Sequence, residues 1–136
     1  MEKCDNINWS DELSVNEGRI DLQHKHIFEI INSFIHEKEL SSRSPRLAEL
    51  LSQLTDYSLV HFREEESFMA EKNFPGLAEH KKAHKYYIKK VALFNLSYTN
   101  LQPTDPEEVC SFLKKWWMKH ILEMDFNYKR YIETKR

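Results

Sequence analysis

Apolar residues recur every three or four positions along four separate segments of this chain. The four stripes are Ile20, Ile27, Ile31 and Ile35; Leu47, Leu50, Leu54, Tyr57 and Phe68; Tyr87, Val91 and Phe94; and Val109, Leu113, Trp116 and Met124. This spacing is typical of amphipathic α-helices that bury one face. No segment convincingly predicts a strand, so the pattern favours an all-α fold.

Three breaks separate the stripes. Residues 41–45 (SSRSP), 73–76 (NFPG) and 99–106 contain the prolines and a glycine that interrupt helices. Asp21 is a candidate cap for the first helix, and Pro45 suits the start of the second. The predicted helices span about residues 21–40, 46–70, 77–98 and 106–131. Short loops between four such helices predict an up-down-up-down antiparallel four-helix bundle with an extended N-terminal arm.

Length and composition narrow the class of protein. A chain of 136 residues is one domain by the usual length relation. With 22 acidic and 20 basic residues the net charge is -2, and we expect neither nucleic acid nor a membrane as a partner. The N-terminus lacks the apolar stretch of a signal peptide. Cys4 and Cys110 match no CxxC pattern, so we expect free thiols in a reducing cytoplasm, although a secreted form stays open.

Five histidines lie on the apolar stripes rather than on the charged faces. A rotation of about 100° per residue directs them, together with one glutamate, toward the core. They are His24 on the first helix, His61 with Glu65 on the second, His80 and His84 on the third, and His120 on the fourth. A single buried histidine is ordinarily a core residue. Five of them on facing stripes indicate a metal site, because unpaired polar groups in a core are costly and a metal ion satisfies several at once.

The axial positions of these residues support the same interpretation. In an antiparallel bundle the starts of the first and third helices meet the ends of the second and fourth. With a rise of 1.5 Å per residue, the five histidines, Glu65 and Asp125 all fall within roughly 16 Å of one bundle end. Sequence positions from 24 to 125 therefore converge on one level.

The ligand types restrict the metal. Five imidazoles and two carboxylates are too many for one zinc ion, which takes four ligands. Nitrogen and carboxylate oxygen without thiolate suit iron, with manganese the weaker fit. The ferritin-like di-iron pattern requires Glu three residues before His on two helices, and no histidine here has it. We reject that class.

Four segments together resemble the hemerythrin family, specifically its single-domain bacterial members. They are IDLQHK at 20–25, HFREE at 61–65, HKKAH at 80–84 and WWMKHILEMD at 116–125. The resemblance runs from about Trp9 to Tyr131. It implies one domain over residues 1–136, with an arm at about 1–19 and a bundle at about 20–132.

The resemblance implies two non-haem iron ions that bind dioxygen reversibly. One iron would take His80, His84 and His120, and the other His24 and His61. Glu65 and Asp125 would bridge them beside an oxo or hydroxo group. These ligands fill all but one of about twelve octahedral positions, which leaves one open on the two-histidine iron. With no acid or base positioned for substrate turnover, we expect an oxygen carrier and not an enzyme.

Two features depart from simple expectations. Asp125 follows His120 by five residues, and an ideal helix would turn it about 140° away from the ligands. We choose Asp125 because the family has a ligand at this spacing. We expect that the helix is locally widened between His120 and Asp125, or that the Asp125 side chain swings across. Trp117 stands where the family more often has Leu or Ile. We expect it to narrow an oxygen pocket whose other walls are Ile27, Phe62 and Trp116, the alternative being that it only fills the core.

Other polar residues are set aside. We interpret His26 and His36 as solvated, Glu64 and Glu66 as outward-facing surface charges, and Cys4 as an exposed terminal thiol. The leading function is oxygen storage or delivery to an oxygen-using enzyme. The alternatives are a di-iron oxygen or redox sensor, a protein that handles peroxide, nitric oxide or iron release, and a purely structural metal site. The sequence leaves the oligomeric state open.

Overall fold

The computed structural model describes residues 4–40, 44–100 and 104–135. Its main helices are α1 (Gly18–Leu40), α2 (Pro45–Glu71), α3 (Leu77–Thr99) and α4 (Pro106–Lys119). A π-helical turn (His120–Asp125) continues α4 without a break into α5 (Phe126–Thr134). The described residues contain no strand, and α1 packs on α2 and α4 while α2 packs on α3. The predicted four-helix bundle is confirmed.

Local chemistry explains two of the helix starts. The Ser44 side chain accepts the Arg46 N–H, and the Asp105 side chain accepts the Glu107 N–H. In both cases the cap is followed by a proline at the first helical position, where a missing N–H loses no hydrogen bond. Within the described residues, no helix is long and apolar enough to cross a membrane.

The prediction that Asp21 caps the first helix is wrong. The helix begins at Gly18, and Asp21 lies in its first turn. Its carboxylate instead accepts hydrogen bonds from the Val15 N–H at 2.9 Å and from the Ser14 hydroxyl at 2.6 Å. Asp21 therefore fastens the end of the N-terminal arm to the helix that follows.

The N-terminal arm lies along the bundle and is held at several points. Ile7 is buried, and its backbone N–H and C=O both bond to the Asn32 side chain at 2.9 Å. The Trp9 ring lies 6.5 Å from that of His24 and 6.1 Å from that of Phe28, measured between ring centroids. The arm thus reaches from the far end of the bundle to the level of the histidines.

A disulfide between Cys4 and Cys110 anchors the start of this arm to α4. The expectation of free thiols, with Cys4 as an exposed terminal thiol, is therefore wrong. The pairing depends on the path of the arm, which brings together two Cα atoms 6.2 Å apart across 106 positions of sequence. Disulfides are typical of oxidising compartments, so the cytoplasmic location loses its support from cysteine and stays a prediction.

Candidate metal centre

Seven polar side chains converge at one end of the bundle core, and each is at most 4% exposed. They are His24, His61, Glu65, His80, His84, His120 and Asp125. The seven residues lie on α1, α2, α3 and the π-helical turn that follows α4, so all four helices of the bundle contribute. The structure brings together all the residues that the sequence selects.

Three of the imidazoles form one half of the centre. The Nε2 atom of His120 lies 3.1 Å from Nε2 of His80 and 3.1 Å from Nε2 of His84. Two nitrogen ligands about 2.1 Å from one ion and at right angles are separated by about 3.0 Å. This three-histidine half therefore has the nitrogen spacing of ligands around a single ion.

The other two imidazoles, those of His24 and His61, form a two-histidine half. Their ring centroids are 4.7 Å apart. Glu65 lies close to these two histidines and also to the three histidines of the other half. In each of the two sets, all the ligand atoms lie within 4.8 Å of one another. Glu65 therefore lies between the halves, where a carboxylate can reach an ion in each.

Asp125 occupies a second position between the halves. Its Oδ2 atom is 3.3 Å from Nε2 of His24, and its Oδ1 atom is 2.9 Å from Nε2 of His80 and 3.2 Å from Nε2 of His120. One carboxylate oxygen faces each half, which is the arrangement of a bridging ligand.

The π-helical turn explains how Asp125 faces inward. The backbone N–H of Phe126 bonds to the carbonyl of Ile121, five residues earlier. This wider turn brings His120 and Asp125, five positions apart, onto one face. The predicted local widening of the helix is confirmed.

Many buried nitrogen and oxygen atoms of the centre lack a hydrogen-bond partner in the part of the chain that the structure describes. Within the described residues, several of its ring nitrogens and carboxylate oxygens have no hydrogen-bond partner. They are both ring nitrogens of His24, Nε2 of His61, Nδ1 of His80, Oε1 of Glu65 and both oxygens of Asp125. Buried polar groups are ordinarily satisfied. Lone pairs of this kind, all nitrogen or oxygen, fit iron ions.

The charges of the buried side chains also favour metal cations in the centre. Burial opposes the charged forms of Glu65 and Asp125, and the charge of Asp125 also opposes that of Glu65. Contact with several imidazoles outweighs these effects and lowers the pKa values of both carboxyls. Burial lowers the pKa of His61 to about 3, so its ring is neutral. Burial opposes charge on His80, but the adjacent carboxylates of Asp125 and Glu65 raise its pKa to about 9. Two buried carboxylates thus require nearby positive charge, which metal cations supply.

Gln23 orients His61, a role that was not predicted from the sequence. Its Oε1 atom lies 2.7 Å from Nδ1 of His61, and its amide nitrogen bonds to Glu64. Because the amide nitrogen must donate to the Glu64 carboxylate, Oε1 is left to accept, and Nδ1 of His61 carries the proton. The Nε2 lone pair of His61 is then free for a metal ion. Gln23 immediately precedes His24, but a side chain of that type gave no signal of this role.

Glu66 orients His84 in the same way. Its Oε2 atom lies 2.8 Å from Nδ1 of His84, and its side chain is 26% exposed. The interpretation of Glu66 as a plain surface charge is therefore wrong. A carboxylate behind an imidazole fixes the tautomer and raises the basicity of the ligand nitrogen.

Tyr128 is the third supporting residue that the sequence did not indicate. Its hydroxyl donates to Oε2 of Glu65 at 2.9 Å, and burial raises the pKa of this phenol well above its ordinary value. Tyr128 therefore stays a neutral donor that fixes one oxygen of Glu65. The only signal was its position on the apolar face one helical turn beyond Met124.

Aromatic rings enclose the centre. The Trp117 ring is fully buried, with its centroid 6.1 Å from that of His24 and 5.9 Å from that of His61. Its indole N–H donates to the Tyr87 hydroxyl at 3.1 Å, which fixes the orientation of the ring. Trp117 therefore presents an apolar surface to the two-histidine half.

The other predicted pocket residues are distributed over both halves. Ile27 is fully buried, and Phe62 lies 5.6 Å from the His61 ring and stacks on His84 at 3.8 Å. Trp116 stacks on His120 at 4.3 Å, so it lies against the three-histidine half. The part that each of them plays in a ligand pocket stays a prediction.

The fold and the site together define a helical-bundle metal-binding protein with two adjoining ligand sets. Residues 17–132 match the hemerythrin HHE cation binding domain. The chain is 32% identical to a bacteriohemerythrin of Stenotrophomonas maltophilia over 113 residues, which are 83% of this chain and 72% of that protein. It is 31% identical to a bacteriohemerythrin of Clostridium acetobutylicum over 124 residues, 88% of this chain and 96% of that protein. The crystal structure of a wild-type hemerythrin superposes with a TM-score of 0.84 at 26% identity, covering 91% of this chain and 95% of the other.

This chain belongs to the hemerythrin family.

Proposed function

We propose that this chain holds two iron ions in the candidate centre and binds dioxygen reversibly, for storage or for delivery to an oxygen-using enzyme. The observation that carries the proposal is the unequal ligand set, with three imidazoles in one half, two in the other and two carboxylates between them. Two six-coordinate irons with these ligands and one small bridge retain about one open position, in the two-histidine half. That half is the one that Trp117 faces.

Iron, when bound, supplies the electrons and the open position that dioxygen requires. The chain supplies orientation: Gln23 and Glu66 fix the tautomers of His61 and His84, and Tyr128 fixes Glu65. The buried rings exclude water from the centre, which limits the loss of electrons to solvent-assisted oxidation.

Binding without turnover is part of the proposal. The hydroxyl of Tyr87 bonds to Trp117 and Ser58, and burial raises its pKa far above neutrality, so it is not an acid or base near pH 7. We therefore propose a binding protein of the hemerythrin type and not an enzyme.

The test begins with ferrous loading of the reduced protein in the absence of oxygen, followed by counting of the iron. Air is then admitted, the visible spectrum recorded, and the oxygen removed. We expect two irons per chain and an absorption band that appears with air and disappears on deoxygenation. His61→Ala should bind about one iron and give no reversible band, while the exposed His36→Ala should behave as the parent.

Other results would assign the centre differently. Immediate irreversible oxidation with two irons bound would favour a redox sensor or a protein that handles peroxide or nitric oxide. Fewer than two irons in the parent chain would contradict the ligand set itself, beginning with the bridging role of Asp125.

A further inference from the structure

A groove on the bundle surface, between α2 and α3, reaches the three-histidine half of the centre. Its cavity volume is about 390 Å³, and its lining includes Phe62, His84, Arg63, Lys85 and Lys89. We call it the α2–α3 groove. It differs from an ordinary surface depression because its lining includes a side chain of the candidate metal centre.

The inner lining of the α2–α3 groove is a pair of stacked rings. Phe62 lies against His84 with a centroid distance of 3.8 Å and an angle of 9° between the rings. Only 3% of the His84 side chain is exposed, and Glu66 bonds to its Nδ1 atom at the groove wall. One imidazole therefore separates a molecule in the groove from a metal ion in the three-histidine half.

The rim of the α2–α3 groove is cationic. Arg63, Lys85 and Lys89 are exposed, and within the described part of the chain none of the three forms an ion pair. The one acidic side chain of the lining, Glu66, is engaged by His84. Unpaired positive charges around an apolar floor favour an acidic partner and raise its association rate.

We propose that the α2–α3 groove is the docking site of a small acidic one-electron carrier protein that returns the oxidised centre to the ferrous state. The proposal rests on the di-iron function proposed above, since only ferrous ions have the electrons that dioxygen binding requires. Each ferric ion gains one electron and each carrier loses one, so two reduced carriers restore one centre. Such encounters use small interfaces and electrostatic steering, which an open cationic groove provides.

A second groove, lined by α3 and α4 residues, serves as the internal comparison. Its volume is about 610 Å³, and it carries Lys115 and Lys119. Glu108 also lines it, and Lys119 lies 3.9 Å from Glu123, so its positive charge is partly balanced. Trp116 lines it in front of His120, so no histidine of the centre forms its surface.

The test compares two double variants of the iron-loaded protein. Lys85→Glu/Lys89→Glu reverses the rim of the α2–α3 groove, and Lys115→Glu/Lys119→Glu reverses the other groove. Both pairs are exposed lysines four residues apart on a helix, and both change the net charge equally. Reduction of the oxidised protein by dithionite-reduced [2Fe–2S] ferredoxin is followed by stopped flow at low and high salt, and carbodiimide cross-links are mapped by mass spectrometry.

We expect Lys85→Glu/Lys89→Glu to slow reduction by ferredoxin about tenfold or more at low salt. Lys115→Glu/Lys119→Glu should slow it several-fold less. Cross-links of the parent protein should involve Lys85 or Lys89, and the difference between the variants should shrink at high salt. Ascorbate, a small anionic reductant, should reduce both variants at equal rates.

Three results would overturn the docking proposal. Equal rates for both variants with ferredoxin, or cross-links confined to Lys115 and Lys119, would remove the α2–α3 groove as the docking site. A slower rate of Lys85→Glu/Lys89→Glu with ascorbate as well would assign the groove to small anions instead of a protein. The iron count and the oxygen-dependent spectrum of the parent are measured beforehand, so failure of the di-iron function is seen separately.

Discussion

The two halves of the metal centre have different surroundings, although both are built from imidazoles on neighbouring helices. In the two-histidine half, the Trp117 ring lies near both imidazoles, and Trp9 of the N-terminal arm lies near that of His24. The three-histidine half lies behind a surface groove, and its His84 contacts a partly exposed carboxylate. The difference fits the two proposals made above, in which ligand binds in the two-histidine half and electrons enter through the three-histidine half.

Removal of a carboxylate that is shared by both halves should have the largest effect. Glu65→Ala deletes a carboxylate that groups with the histidines of both halves. It also leaves the Tyr128 hydroxyl without its acceptor. We expect the variant to lose most of both irons, measured as metal per chain after anaerobic loading. Glu123→Ala, an exposed carboxylate of the π-helical turn, should keep two irons. Retention of one tightly bound iron in Glu65→Ala would show that the halves are filled independently.

Loss of the disulfide should affect the two-histidine half more than the other. Reduction of Cys4–Cys110 should lower the free energy of unfolding by about 2–4 kcal/mol, because the bridge closes a long loop. Loosening of the arm should also speed iron loss to a chelator from the half beside Trp9. Urea unfolding and chelator kinetics with and without dithiothreitol measure both effects, and Cys4→Ser/Cys110→Ala should be insensitive to the reductant. Equally faster loss of both irons would contradict a specific link between the N-terminal arm and the two-histidine half.

The supporting hydrogen bonds allow each half to be weakened separately. Gln23→Leu removes the acceptor behind His61, and we expect about 10–100-fold weaker binding of one iron. Glu66→Gln should weaken the iron of the other half by a smaller factor, since Glu66 is partly solvated and the amide oxygen still accepts a hydrogen bond. Competition with a chromogenic chelator gives the two affinities. A change in both irons from either substitution would mean that orientation is transmitted through the bridging carboxylates.

Trp117 should have the smallest effect on the metal and a specific effect on kinetics. Trp117→Leu opens space beside His24 and His61, and we expect oxygen entry and autoxidation to become about tenfold faster while two irons remain. The cavity should reduce stability by about 1–3 kcal/mol. Trp117→Phe is the matched control, because it keeps an aromatic ring while losing the hydrogen bond to Tyr87 and a smaller part of the side-chain volume. Unchanged rates in Trp117→Leu would leave Trp117 as a core residue only.

The bundle and the convergence of the histidines follow from periodicity, because both depend on which helix face a residue occupies. The structure places Ile20, His24, Ile27 and Ile31 on the buried face of α1, as their spacing predicts. The inward position of Asp125 could not follow from regular helical geometry. It required the resemblance to a family, because a period of 100° per residue does not indicate a π-helical turn.

The supporting residues escaped prediction for a different reason. Gln23, Glu66 and Tyr128 act through side-chain hydrogen bonds between helices, and periodicity does not specify such pairs. Glu66 in particular is partly exposed, so its position along the helix did not distinguish a surface charge from a partner of His84. The disulfide escaped because an extended arm has no periodic signal, so its path along the bundle was not available from the sequence.

The Cys4–Cys110 bond also changes the covalent topology of the protein. It closes residues 4–110 into a ring that contains His24, His61, Glu65, His80 and His84. His120 and Asp125 lie outside it, on a linear tail. A protease that cuts the chain once inside the ring leaves a single covalent molecule with every ligand attached. A cut between positions 111 and 119 instead separates two ligands from the other five. A single cut inside the ring can divide the centre into two molecules only after the disulfide is also reduced.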